Sequence, residues 1–432
     1  MSAGIHTRRA AGSFPERAAA LLQRWPSIGL VLWIAALLRV ASIFLLRAWR
    51  HPNAWEFGGI AFRIHAGLGF TVDLPHGGLA PSAYMPPAYP YILAWLLKVG
   101  GNAPLTWLDL ELVQAASSVL LVYLIYRTAL LLMPRAGAIA AAILTALYPS
   151  QVFMCNEFHP ISFYITLGAA VVFFLTRCAR TPAWRDLVAA AVCMGALLLF
   201  RAEATVLVLI YAALLLVRCG RRALPQAAAF ILIAFLCLAP WTLRNLLAFG
   251  KLVPVTDSAG INLWIGNNPH ATGSQHYAFP DFYSPALRRA LAAVPQDRDY
   301  ELNRDHLFQR DAEHFALTQP GAEARLMLVK LDYFFLYDPS HELGRRPLYW
   351  IPSVLLTLLA LWGAFLRRDK LFRDDIFVVS SILFAVAICE AVFVLPRYKM
   401  VIDPFIMILA GSVVSHWLPR PADSRPTASA LR

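Results

Sequence analysis

The sequence has little charge for its length. Of 432 residues only 15% are Asp, Glu, Lys or Arg, while 59% are apolar and the mean hydropathy is +0.57. A soluble domain carries roughly a quarter charged residues, so a soluble fold is excluded. Cysteine is sparse as well. Cys155, Cys178, Cys193, Cys219, Cys237 and Cys389 are scattered in or beside apolar runs, and no two form a CxxC pair. This argues against a disulfide framework or a thiolate metal site and leaves small-hydrophobe packing. A Walker motif and a Gly-rich dinucleotide turn are both missing, and no internal repeat is visible. Nucleotide binding and a two-fold transporter architecture therefore lack their signatures.

Long apolar runs are abundant. Ten can be placed near 27–47, 108–131, 136–154, 160–177, 186–200, 203–217, 225–241, 347–366, 375–395 and 399–416. A bilayer core asks for roughly 20 residues at 1.5 Å each. The expected fold class is an all-α polytopic membrane protein of about ten spans. The formal charge of +12 does not point to nucleic acid. Lys and Arg recur in short connectors between apolar runs (127–135, 177–185, 218–222, 367–373), where the positive-inside rule puts them on the cytoplasmic side. The expected organisation is a cytoplasmic arm (1–26), a membrane domain (27–417) and a cytoplasmic tail (418–432). The run Ser27 to Leu46 reads as an uncleaved first span.

Two long loops fall on the opposite, extracytoplasmic face, 48–107 and 242–346. Loops of this length are usually functional. The first holds an apolar helix candidate, Pro87 to Val99, which at about 20 Å is too short to span and reads as interfacial. In the second, Asp297 to Gln319 shows helical apolar spacing, and Glu323 to Tyr337 reads as a helix on the membrane surface.

Charge at the outer ends of the spans is unexplained by the positive-inside rule, and charge at a membrane edge is a functional-site signal. Arg47 and Arg50 end span 1, Glu157 follows span 3, and Arg201 lies with Glu203 between spans 5 and 6. Arg244 ends span 7, and Arg397 and Lys399 join spans 9 and 10. Each alone can be read as snorkelling to lipid phosphate. Together they suggest an anion site, for which the guanidinium fork suits phosphate. The outer histidines (His51, His65, His76, His159, His270, His276, His306, His314 and His341) lack metal-ligand spacing and read as solvated loop residues. No cofactor is expected; a divalent metal, conceivable at Glu313-His314 or His341-Glu342, gains no support from spacing.

The first loop reads Trp55-Glu-Phe-Gly-Gly-Ile-Ala-Phe-Arg-Ile-His-Ala-Gly-Leu-Gly-Phe70 and then Pro81-Ser-Ala-Tyr-Met-Pro-Pro-Ala-Tyr-Pro90. Further on stand Pro240-Trp-Thr-Leu-Arg-Asn245, Gly260-Ile-Asn-Leu-Trp-Ile-Gly-Asn-Asn-Pro-His270 and Arg397-Tyr-Lys-Met-Val-Ile-Asp-Pro404. This ordered set resembles the GT-C glycosyltransferases, in the branch of protein mannosyltransferases (family 39-like) and lipid A aminoarabinose transferases. The resemblance implies a GT-C-like bundle that moves a sugar from a polyprenyl-phosphate donor to a lipid, protein or polysaccharide acceptor outside the cytoplasm, with no nucleic acid partner. It implies a bacterial inner-membrane location.

Inversion at the anomeric carbon then needs a carboxylate base and cations on the departing phosphate. Glu56 is the candidate base, although Asn53 stands where the family usually has its acid, eight residues before Ala61. The plain alternative is that Glu56 caps the loop helix, and Asp73 is a fallback. Glu157 is a second catalytic candidate. Arg47, Arg50, Arg201, Arg244, Arg397 and Lys399 are candidate phosphate ligands. Trp55, Tyr84, Tyr89 and Trp264 are candidate stacking residues with interfacial-belt roles as the alternative. Asn267 reads as a turn former first and a sugar ligand second. A lipid-linked oligosaccharide polymerase or ligase, whose chemistry rests on arginines and a histidine, is the competing enzyme class; a transporter is the third reading.

Overall fold

The computed structural model describes residues 26–274 and 282–417. The expected arm and tail, Pro26 apart, lie outside the described residues, as does His276. Helix α1 (Ile28–Leu46) is followed by the first loop, which holds α2 (Trp55–His65), a hairpin of β1 (Thr71–Asp73) and β2 (Leu79–Pro81), and α3 (Ala88–Gly100). The bundle continues with α4 (Pro104–Leu132), α5 (Arg135–Leu147), α6 (Pro149–Phe153), α7 (Ile161–Arg180), α8 (Trp184–Leu198), α9 (Ala204–Cys219) and α10 (Leu224–Phe249). The second loop holds α11 (Ala259–Gly266), α12 (Pro285–Ala292), α13 (Tyr300–Thr318), α14 (Pro320–Phe335) and α15 (Glu342–Arg345). Helices α16 (Pro347–Leu366), α17 (Arg368–Leu371), α18 (Ile376–Ala391) and α19 (Pro396–Trp417) complete the chain.

The protein is an integral membrane protein. All ten predicted runs are helical, but length and composition alone establish fewer crossings. Among the described residues six helices are long and apolar enough, and α5 with the segment 149–156 forms a seventh, bent by 57°. The shorter α8, α9 and α18 leave the count of ten unestablished. Helix α10 also runs on to Phe249, so Arg244 sits on the helix and not beyond its end. Likewise Arg397 and Lys399 occupy the first turn of α19, which Pro396 opens, and do not form a connector.

The bend after α5 has a local cause. Pro149 has no N–H, so the Thr145 carbonyl loses its partner four residues on. Arg39, fully buried on α1, supplies the donors instead. Its guanidinium bonds the carbonyls of Thr145 (3.3 Å), Ala146 (3.1 Å) and Ala35 (3.1 Å), while its Nε donates to Ser118 Oγ at 2.7 Å. The single charge in span 1 is thus spent on the kink, as charge inside a membrane must be. On the same helix Val31, Ala35 and Ile43 share its buried stripe, whereas Leu30, Trp33, Leu37 and Leu45 point outward to where lipid lies. Close packing deeper in the bundle relies on small residues: a Cβ on Gly137 would stand 2.8 Å from the Gly411 carbonyl.

Basic connectors meet at one end. Arg367 forks onto Asp375 at 2.6 and 2.7 Å and donates to the Leu132 carbonyl (3.2 Å), and Arg218 reaches Asp374 at 3.4 Å. The kinked segment 149–156 leads to Glu157 at the other end, where the two loops lie.

Candidate active site

Of the predicted site residues, the structure draws Glu157, Arg201 and Arg397 together. Gln114, fully buried on α4, donates from Nε2 to the carbonyls of Glu157 (2.9 Å) and Cys155 (3.0 Å), and so fixes the turn that carries Glu157. Burial pushes the Glu157 carboxyl above its ordinary value, and nearby Arg397 opposes that shift. Arg201 pairs with Glu203 and lies over the rings of Tyr164 (4.8 Å) and Tyr398 (5.7 Å). The Arg397 guanidinium stands 5.7 Å from the Tyr398 ring. His159 completes the group. Burial first, then Arg397 and Arg201, hold its imidazole well below the usual histidine range, so it is neutral. The reading of His159 as a solvated loop residue is corrected: the polar loop composition around it hides a packed turn.

Glu56 stands next to a residue that packs on this cluster. It sits exposed in the first turn of α2, where a helix N-terminus favours an anion. Phe57 meets the rings of Tyr89 (5.3 Å) and His159 (5.4 Å) edge to face. The preceding Trp55 takes a left-handed φ of 49°, its N–H bonded to Asn53 Oδ1 at 3.1 Å. Such strain in a non-glycine residue concentrates at functional sites. Asn53, which stands in the acidic position, therefore shapes the turn that presents Glu56. Beside it, a cleft of about 340 Å³ is lined by Asn53, Trp55, Gly58 and Phe62 with Asn102 and Trp107 opposite. Tyr84 is close enough for Glu56, after burial, to raise its phenol.

Other predicted ligands are taken up by the fold. Arg244 donates to the carbonyls of Phe70 (2.6 Å) and Ser82 (2.7 Å) and to Asn245 Oδ1 (3.0 Å), pinning the first loop to α10. Lys399 is buried within the bundle, bonded to the Phe335 carbonyl and Thr357 Oγ1, both at 3.2 Å. Arg47 and Arg50 are exposed at the end of α1, Arg47 as its left-handed cap and Arg50 against Trp49. Trp264 is buried in the core of the second loop with its Nε1–H on Asp311 (2.8 Å), so its ring face is not open to a sugar. Asn267 bonds the carbonyls of Leu263 and Ala391 and accepts from Lys330 Nζ at 2.7 Å. Asp73 is paired with Arg63 on the surface hairpin, which removes it as a free base. Among the described residues no group of three or more His, Cys, Asp or Glu is arranged to hold a metal.

The profile of the dolichyl-phosphate-mannose-protein mannosyltransferase family matches residues 84–243, just over a third of the chain. That stretch contains Glu157 and Arg201 but not Glu56 or Arg397. Among solved structures, the oligosaccharyltransferase of Archaeoglobus fulgidus, crystallised with zinc and sulfate, aligns with a TM-score of 0.53 at 14% identity. The alignment covers 89% of this chain and 48% of that one. The chain has the GT-C fold. The same archaeal enzyme, AglB, with an inhibitory peptide and a dolichol-phosphate, gives 0.52 at 12% identity over 91% of this chain and 50% of that one. This chain thus spans about half the length of these archaeal structures. ArnT from Cupriavidus metallidurans bound to undecaprenyl phosphate scores 0.40 at 14% identity, covering 90% of this chain and 77% of that one. No curated protein matches at the level of sequence.

Proposed function

We propose that the protein is a membrane glycosyltransferase that moves a sugar from a polyprenyl-phosphate carrier to an acceptor hydroxyl with inversion. The observation that carries this reading is the half-buried cluster of Arg201, Arg397 and His159 beside the start of α2, at the ends of spans where a lipid headgroup lies. In the proposed step the Glu56 carboxylate takes the acceptor proton, and the acceptor oxygen bonds to the anomeric carbon. The carbon–oxygen bond to phosphate breaks with its electron pair on the phosphate. Arg397 and Arg201 stabilise the charge that grows there, Arg201 being aimed by Glu203 and Tyr164. Glu157, whose carboxyl is raised by burial, orients the acceptor or Glu56. Trp55 borders the cleft beside α2, which is assigned to the acceptor.

Support comes from the GT-C fold, from the partial match to a family described by a lipid-phosphate sugar donor, and from the dolichol-phosphate bound by the archaeal neighbour. The basic connectors support an extracytoplasmic site; the membrane proposed is a bacterial inner membrane. The test is transfer by the purified protein from a set of polyprenyl monophosphate sugars. Consumption of one donor, with inverted product, is expected; no consumption of any would remove the proposal. The polymerase or ligase reading gains one observation, the burial of His159 beside two arginines. It predicts full activity in Glu56→Gln, which the assignment of Glu56 as the base forbids.

A further inference from the structure

The polar cluster contains more than its arginines. Among the described residues, His159 Nδ1, the Tyr164 hydroxyl and Arg397 Nε are buried and make no hydrogen bond. The large majority of buried polar side-chain atoms are paired, so three such atoms in one cluster point to a ligand that would pair them. They come from the turn before α7, from α7 itself and from the first turn of α19, so no single local distortion explains all three. The side chains are held in place. His159 meets Phe57 at 5.4 Å and Tyr164 at 6.5 Å, edge to face in both contacts. Tyr164 is nine-tenths buried under the Arg201 guanidinium. A neutral imidazole and a phenol add donors without adding charge, in a group whose two arginines already face Glu203 and Glu157.

We propose that His159, protonated on Nδ1, and the Tyr164 hydroxyl are direct ligands of the phosphate group of a polyprenyl monophosphate, alongside Arg397. This rests on the reading of the cluster as a lipid-phosphate site and extends it to two uncharged donors. The phosphate can come from lipid or from free inorganic phosphate, and the location at the ends of α7 and α19 favours lipid.

The test is equilibrium binding of polyprenyl monophosphate to the purified full chain in detergent, with inorganic phosphate as competitor. His159→Phe keeps the ring contacts and removes the nitrogens; His159→Gln restores an amide donor; Tyr164→Phe removes one hydroxyl. His159→Phe and Tyr164→Phe are each expected to weaken binding about tenfold, the scale of a hydrogen bond to a charged group. His159→Gln should recover most of that loss, and none of the three should lower the melting temperature of the unliganded protein. Wild-type affinity in both His159→Phe and Tyr164→Phe, while Arg397→Gln binds weakly, would overturn this inference and leave the phosphate site standing. If wild type binds no lipid phosphate, both fall. Competition by inorganic phosphate at concentrations matching the lipid would overturn the lipid assignment.

Discussion

The cluster around Arg397 and the joint around Asn267 use similar residues to opposite ends. In the joint, Lys330 Nζ bonds Asn267 Oδ1 (2.7 Å) and the Glu390 carbonyl (2.8 Å), and Asn267 bonds the Ala391 carbonyl at 2.8 Å. A Cβ on Gly266 would stand 1.5 Å from the Val392 carbonyl, so the two backbones touch. Asp305 accepts the N–H groups of Gly260 and Ile261, both at 2.8 Å. Here the Lys330 ammonium and the Asn267 amide are consumed in welding the second loop to the segment leading into α19. In the cluster, that same segment ends in a guanidinium whose Nε has no partner among the described residues. A paired buried polar group holds structure, whereas one left unpaired calls for an explanation, of which a bound ligand is one.

This contrast can be broken by substitution. The largest effect is expected at the candidate base: Glu56→Gln should cut kcat by about 10²–10⁴-fold with an unchanged melting temperature. Gly266→Ala should do the reverse, destabilising the protein by about 3 kcal/mol through overpacking, visible as lost thermal stability in detergent. Lys330→Met keeps the volume but strands Asn267 Oδ1 and the Glu390 carbonyl. A loss of about 2 kcal/mol is expected, with turnover per folded molecule nearly retained.

The smallest effects are those of pH, and their signs differ between the regions. Burial, then Glu301 and Asp305, pushes the Asp257 carboxyl up to about 8. The folded protein keeps a proton there that the unfolded chain releases, so its stability falls as pH rises toward that value. His159 is neutral when folded but protonated below about 6.5 when unfolded, so its contribution is lost on acidification. Asp257→Asn should flatten the alkaline limb of a melting-temperature profile and His159→Gln the acid limb.

Much of the fold was legible because apolar run length is a strong signal. All ten runs became helices, and the loop helices formed at 88–100, 300–318 and 320–335, close to their predicted bounds. The break at Pro149 was missed because the run 136–154 is long and apolar enough to read as one span; the cue was the proline itself. At the site, Glu157, Arg201 and Arg397 stood out as charges at the outer ends of spans. Arg244 and Lys399 gave the same signal yet serve packing, because sequence shows that a charge is present but not which carbonyls surround it. His159 was read as solvated and Gln114 was passed over for the opposite reason. Their burial comes from long-range contacts between α4, the kinked segment and α2.

The central claim is that the Arg397 cluster holds the departing phosphate while Arg244 holds the loop. The most direct measurement is kcat/KM for a polyprenyl monophosphate sugar, set beside melting temperature, in Arg397→Gln and Arg244→Gln. The account predicts that Arg397→Gln loses about 10²–10³-fold in kcat/KM at wild-type stability, and that Arg244→Gln melts several degrees lower. Full turnover by a stably folded Arg397→Gln would contradict it.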